Sequence, residues 1–526
     1  MSSDALIEEE WKPTQNPWIV TCVVMIATFI FVLDSTIANV ALPHMAGSFG
    51  SSNEEAMWIL TSYLIASGIV LPSVGWFSKA FGRKNFFINC IIIFTFASVL
   101  CGLAQSLGMM ILARVIQGFG GGALLPVSQA IMLESFPKEK RGLAMSIFGL
   151  GVVVAPIIGP VLGGWITDNY NWSWVFYINL PCGLIAAFFA KLFIEDPPYA
   201  RKQKLEKIDY TGFFFLTLWL ITLQIFLDKG QNADWFNSDW ICWLAGTSVV
   251  AMIIFVVSQL KNKDSIIDLS VFKDRNFAVG TIILVVVTTI LYASIAIMPL
   301  FLQHLLGYSA FLSGYALMPR GLGSIVSVIL CAALTGKVDD RMLVTVGLIL
   351  LGTAGLMFGL LNLDISIMNI IVPNFIYGMG LGFCFIPITT LSVTTLENSK
   401  MTNATGIQNL LKNIGGAVGI SIVTTLLSRS AQMHQYSMVG YLNDLNPVFT
   451  QKLSSLTMAL AKYMNITVAS SKANYLLYAE LLKQSNLWAF MDAFRILGLM
   501  AFFVIPIIWK MKKPVHAGKS DMSALH

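Results

Sequence analysis

The chain has 526 residues, 56% of them hydrophobic and 12% charged, with a mean hydropathy of +0.74 and a net charge of +5. Soluble domains carry about 25% charged residues, so this composition excludes one and implies a chain that lives in a bilayer. The pI near 8.7 does not indicate nucleic acid, because the basic residues lie between apolar spans rather than along one patch.

From the amino terminus, Met1 to Gln15 is polar, carries Glu8, Glu9 and Glu10, and has no basic region before an apolar stretch, so the first span is expected to stay in place rather than be cleaved. A window of about 19 to 20 residues predicts fourteen transmembrane helices. They fall near Trp18 to Leu42, Met57 to Phe77, Phe86 to Gln105, Gly108 to Met132, Gly142 to Ile166, Trp174 to Ile194 and Tyr210 to Leu227. The rest fall near Trp240 to Leu260, Ala278 to Leu302, Ser313 to Gly336, Leu343 to Leu361, Asn369 to Thr395, Ala404 to Leu427 and Ala489 to Lys510. With the amino terminus in the cytoplasm, 22 of the 33 basic residues are cytoplasmic, 6 are external and 5 lie within spans, so both termini are expected inside. The stretch from Ser428 to Trp488 then lies outside. It mixes polar residues with apolar pairs at helical spacing, which fits folding onto the bundle, a partner contact or a plain surface excursion.

Span 1 contains Leu33-Asp-Ser-Thr-Ile-Ala-Asn-Val-Ala-Leu-Pro43. A carboxylate at membrane depth costs about 2.5 to 3.5 kcal/mol on insertion scales and is kept where it meets a cavity, a partner or a proton path. Helix-to-helix hydrogen bonding is the plainer alternative for Asp34. Arg114, in the outer part of span 4 within Leu112-Ala-Arg-Val-Ile-Gln-Gly118, should share its depth. Each charge would compensate the other's burial, and a proton or cation arriving at Asp34 would break the pair. A permanent structural salt bridge is the rival reading. Between spans 2 and 3, Gly75, Gly82, Arg83 and Lys84 make a tight basic loop for which Glu134 is a candidate acidic partner; topology alone also explains the charges. In span 5, Gly151, Pro156, Gly159, Pro160, Gly163 and Gly164 remove side-chain bulk and free backbone carbonyls, which lets helices approach and rock. Asn39, Gln117, Gln303, Arg320, Asn409, Lys412 and Asn413 need partners or water inside a bilayer. They are candidates to line a central cavity, as are Tyr63 and Tyr292 for stacking on a hydrophobic substrate; helix contacts and core packing are the alternatives.

These motifs resemble the major facilitator superfamily, and within it the fourteen-span drug:proton antiporters of the EmrB type, over about Trp18 to Lys513. One departure is Ser78, where that family's loop between spans 2 and 3 often carries an acid; another is Lys412, where relatives often carry arginine. The resemblance implies an all-α polytopic fold of two six-helix halves plus two extra transmembrane helices. Its divisions would be a cytoplasmic segment 1–17, a half at 18–194, a linker with the extra pair at 195–276, a half at 277–513 that includes the external 428–488, and a cytoplasmic tail 514–526. It further implies alternating access in a bacterial inner membrane, with the proton gradient as energy source and no bound cofactor. Asp34 and Arg114 would couple protons to export of small amphipathic compounds. A periplasmic adaptor and an outer-membrane channel are the partners it suggests.

Against an enzyme of membrane lipid, the chain has no nucleotide-binding loop, His-Glu-x-x-His motif or Gly-x-Ser-x-Gly elbow. Its seven cysteines lie in or beside apolar spans and read as packing residues, with no metal-ligand spacing. An exporter of one metabolite or siderophore, and a passive channel or scaffold, remain as competing readings.

Overall fold

A computed structural model describes residues 15–136, 141–196, 209–261, 267–334, 338–393, 395–396 and 401–512, and its regular elements are helices. Among the described residues, thirteen helices are long and apolar enough to cross a membrane. Span 1 is Pro17–Phe49, started by Asn16, whose side chain accepts the Trp18 N–H, and stopped by Gly50 at φ +61°. Spans 3, 5, 7 and 8 are Arg83–Gly102, Arg141–Asn169, Tyr210–Lys229 and Asp239–Lys261. Span 4 is Leu107–Gly121 continued as Leu124–Ser135, and span 6 is Trp174–Tyr177 continued as Asn179–Phe193. Spans 9 to 12 are Arg275–Leu300, Ala310–Leu334, Asp340–Phe358 and Met368–Val393; spans 13 and 14 are Met401–Val439 and Ile466–Ile508. The remaining span, span 2, is Trp58–Val70 carried on by Val74–Phe81 across the 3-10 turn Leu71–Ser73, where a proline removes a backbone donor. The fourteen expected spans are thus accounted for, with spans 2, 4 and 6 each interrupted.

The stretch 428–488, expected outside, is mostly helix rather than loop. Span 13 runs on as helix to Val439, span 14 begins at Ile466, 23 residues before the expected Ala489, and the helix Pro447–Ala461 joins them. Asn465 caps span 14 by accepting the Thr467 N–H, Ser485 donates to the Ala431 carbonyl at 2.8 Å, and Ala469 and Ala473 are buried. Polar residues lowered the hydropathy below a membrane threshold without interrupting helical periodicity.

Buried side chains of spans 1 to 6 form two apolar clusters, one around Ile30, Phe87, Phe94 and Leu124, the other around Ile37, Met45, Ile59 and Phe176. A third fills spans 9 to 14. A fourth joins Leu216, Leu220 and Phe255 of spans 7 and 8 to Ile69 of span 2 and to Ile407 and Leu410 of span 13, so the extra pair packs over the seam between spans 2 and 13. Asp209 locks that pair: it caps span 7 at the Gly212 N–H and accepts the Gln259 amide of span 8 at 2.7 Å. A second seam runs between spans 5 and 10, where a Cβ on Gly314 would stand 3.1 Å from the Pro160 carbonyl.

Candidate functional site

Asp34 lies between the two apolar clusters of spans 1 to 6, at 0% exposure. Arg114 Nη1 donates to its Oδ2 at 2.6 Å, and the amides of Gln117 and Asn179 donate to its Oδ1 at 2.9 and 2.8 Å. The carboxylate therefore has three donors from spans 4 and 6. Arg114 is also fully buried; its Nη1 also donates to Gln117 Oε1 at 2.7 Å, its Nε donates to the Ile59 carbonyl at 3.0 Å, and its guanidinium lies 4.1 Å above the Tyr63 ring. Asn179 donates to Ser98 at 2.9 Å, and Ser98 in turn to the Phe176 carbonyl. A buried ion pair is tolerable only when its remaining polar atoms are bonded in this way.

Backbone proximity builds the site. A Cβ on Gly118 would stand 2.6 Å from the Tyr63 carbonyl oxygen, and one on Gly122 2.6 Å from that of Ser67. Their absence lets span 4 lie directly on span 2, which carries Arg114 to Ile59 and Tyr63. On the other side of span 1, Gly159 meets Thr36, Gly163 meets Ile37 with a Cβ position 2.7 Å from Ile37 Cγ1, and Gly151 meets Met25. Span 5 is thus applied closely along span 1, while Pro160 meets span 10; Pro156 is half-buried and Gly164 buried in the same helix.

Of the other expected cavity residues, Gln117 joins the Asp34 network and Tyr63 lies beneath Arg114 with a buried hydroxyl that has no hydrogen-bond partner among the described residues. Asn39 turns back to the Ser35 carbonyl at 3.2 Å, outside that network. Tyr292 packs on Gly416 of span 13. Arg320 donates to Asn374 at 3.1 Å and Ser294 at 2.9 Å and lies 4.2 Å above the Tyr377 ring. Gln303 is half-buried in the π-helical turn Phe301–Leu305 at the end of span 9, Asn409 is buried, Lys412 and Asn413 are half-buried, and Asn413 faces Gly68 of span 2.

At the loop between spans 2 and 3, Gly82 adopts φ +81°, a conformation that favours glycine, whereas Gly75, expected in that loop, lies inside the helix Val74–Phe81 of span 2 with open space around its Cβ position. Arg83 and Lys84 open span 3, and the Lys84 backbone N–H donates to Asp196 at 2.7 Å. An acid after span 6 thus meets the helix N-terminus. The Glu134 side chain lies outside the described residues. Asn179, Ser98 and Asp196 escape sequence reading. Asn179 and Ser98 are ordinary small polar residues in apolar runs, and Asn179 differs from its neighbours only in following a break in span 6. Among the described residues no group of His, Cys, Asp and Glu has the makings of a metal site.

Residues 24–420 match the Major Facilitator Superfamily. The chain is 32% identical over 501 residues to the probable multidrug resistance protein EmrY of Escherichia coli, covering 95% of this chain and 96% of that one. It is 35% identical over 433 residues to the multidrug export protein EmrB of Haemophilus influenzae, covering 82% and 84%. The fatty acid resistance protein FarB of Neisseria gonorrhoeae is 32% identical over 499 residues, covering 95% and 97%. Among solved structures, an inward-facing bacterial homologue of the human lysosomal transporter Spinster superposes with a TM-score of 0.57 at 17% identity, over 95% of this chain and 99% of that one. That likeness shows the fold.

Proposed function

This chain belongs to the Major Facilitator Superfamily, and we propose that it exports hydrophobic and amphipathic compounds in exchange for protons, by alternating access. Relatives named for multidrug export and fatty acid resistance over nearly their whole length support the export half of this reading. The observation that carries the proton half is Asp34, fully buried and held by Arg114, Gln117 and Asn179.

Protonating that carboxylate removes the charge that anchors Arg114. The guanidinium then loses its counter-ion and keeps the Ile59 carbonyl, the Gln117 amide oxygen and the Tyr63 ring. The two states of the site differ by one charge and one ion pair, which is the differential that a coupled equilibrium requires. Spans 1, 2, 4 and 5 meet at glycine contacts around it, so a shift of Arg114 is felt by span 2, which forms the seam with span 13, and a shift of span 1 by span 5, which forms the seam with span 10. The proton gradient is the energy source, and no bound cofactor takes part.

The multi-pass chain sits in the bacterial cytoplasmic membrane with both termini inside, as the excess of basic residues on that side supports. The helices from Ser428 to Trp488 then project outward and offer a surface for a periplasmic adaptor leading to an outer-membrane channel. The test is proton movement in proteoliposomes holding a pH dye, with the wild type beside Asp34→Asn. Lipophilic cations and weak acids should trigger proton release in the wild type and none in the variant. Release that persists in the variant would move the proton site elsewhere.

A further inference from the structure

Span 9 begins and span 14 ends at one membrane face, and a single side chain holds the two ends together. Asn276, buried in the first turn of span 9, accepts the Lys512 N–H at 2.7 Å and donates to the Lys512 carbonyl at 3.2 Å. Met511 is buried beside it, its methyl carbon 3.4 Å from where a Cβ on Gly280 of span 9 would stand. These contacts fix the register of the two helix ends.

Four cations surround that clasp. Lys273 and Arg275 precede Asn276, Lys510 and Lys512 flank Met511, and all four are exposed. None of their side chains has an ion pair among the described residues. The acid among them, Asp274, is engaged elsewhere: it accepts the Phe277 N–H at 2.8 Å, capping span 9, and the Thr395 hydroxyl at 2.9 Å. Like charges held this close repel unless an anion answers them. Away from the cations, each helix turns an apolar stripe outward. The face of span 14 that ends in Lys510 exposes Pro506, Phe503 and Leu499, at intervals of three and four, and Ile282 is exposed seven residues beyond Arg275 on span 9. Trp509, also exposed, stands beside Lys510, where aromatic residues collect at a membrane surface.

We propose that the clasped ends of spans 9 and 14 bind an anionic phospholipid, with its phosphate at Arg275 and Lys512, Lys273 and Lys510 adding positive potential, and its acyl chains along Phe503 and Leu499. An apolar stripe that ends in cations at head-group depth is complementary to such a molecule. A soluble anion makes no use of the stripe, and a zwitterionic lipid brings a further cation to a place that already holds four. Basic residues that only set topology need no common level; here the clasp gives them one. Bound there, the lipid adds a second tie between the two helix ends. The assignment is independent of which compounds the protein exports.

Native mass spectrometry of the delipidated full-length protein tests it, with dioleoylphosphatidylglycerol and dioleoylphosphatidylcholine added at equal concentration. The anionic lipid should bind about tenfold more tightly, the scale set by surface cations acting on one phosphate. Arg275→Gln combined with Lys512→Gln should bring the two lipids level, and because the clasp uses the Lys512 backbone, this variant should melt with the wild type when no lipid is present. Neutralising Lys191 and Lys261, exposed cations near the ends of spans 6 and 8 on the same membrane side, should leave the preference intact. Inorganic phosphate should not displace the bound lipid. Equal binding of the two lipids by the wild type, a preference that survives the Arg275 and Lys512 changes or falls as far in the Lys191 and Lys261 control, or displacement by inorganic phosphate would overturn the proposal; the wild-type comparison decides without any variant.

Discussion

Asn179 of span 6 donates its amide to Asp34 of span 1 at 2.8 Å, so the carboxylate is gripped from two directions, by span 4 through Arg114 and by span 6 through Asn179. Asn179 is a positioning residue: it fixes the carboxylate in the rotamer that Arg114 meets. Replacing it with Leu leaves one fewer donor at a buried charge, at a cost of about 1.5 to 3 kcal/mol. Transport should fall at least tenfold, while Asn179→Asp, which places a second acid beside Asp34, should be worse. Drug efflux from proteoliposomes measures both.

The Arg114–Asp34 pair should behave as a unit. Arg114→Ala alone leaves a buried carboxylate without its cation and should cost about 3 to 5 kcal/mol. Adding Asp34→Asn should recover a substantial part of that loss. Thermal unfolding in detergent of the two single variants and the double variant forms the cycle; additive losses would show that the pair is not coupled.

Gly118 and Gly108 sit in the same helix with opposite surroundings: a Cβ on Gly118 would press on Tyr63 and Ala66, and one on Gly108 meets nothing within 4 Å. Gly118→Val should therefore push span 4 off span 2, destabilise the protein by about 1 to 3 kcal/mol and lower transport. Gly108→Val should change the melting temperature by little more than its effect on helix propensity. The comparison separates close packing from the general effect of losing a glycine.

Asp196 at the start of span 3 can be tested in the same way. Its carboxylate accepts the Lys84 N–H and lies at the positive end of that helix. Asp196→Ala should cost about 0.5 to 2 kcal/mol, and Asp196→Asn, which keeps an acceptor but loses the charge, less. Melting curves at low and high salt should differ for the wild type more than for Asp196→Asn.

Much of this molecule was legible in one dimension. Apolar runs of membrane length gave the spans, because a bilayer forces every backbone group into a helix. Asp34, Arg114 and Gln117 stood out because polar groups in such runs are costly and rare. The extent of spans 13 and 14 did not, since their outer turns are helical but too polar for a hydropathy window; Ser485 and Asn465 fix them by bonds no window sees. Nor did the break in span 2 or the early turn of Asn39 back to Ser35.

The sequence by itself determined that this chain crosses a membrane many times, and that it carries charge where charge needs a reason, because the transfer of each residue from water to lipid is nearly a local property. The tertiary structure alone decided which groups answer that charge. Asn179 reaches Asp34 across 145 positions of chain and Asp196 reaches Lys84 across 112; each of these is set by how helices lean on one another, and packing is a property of the whole bundle.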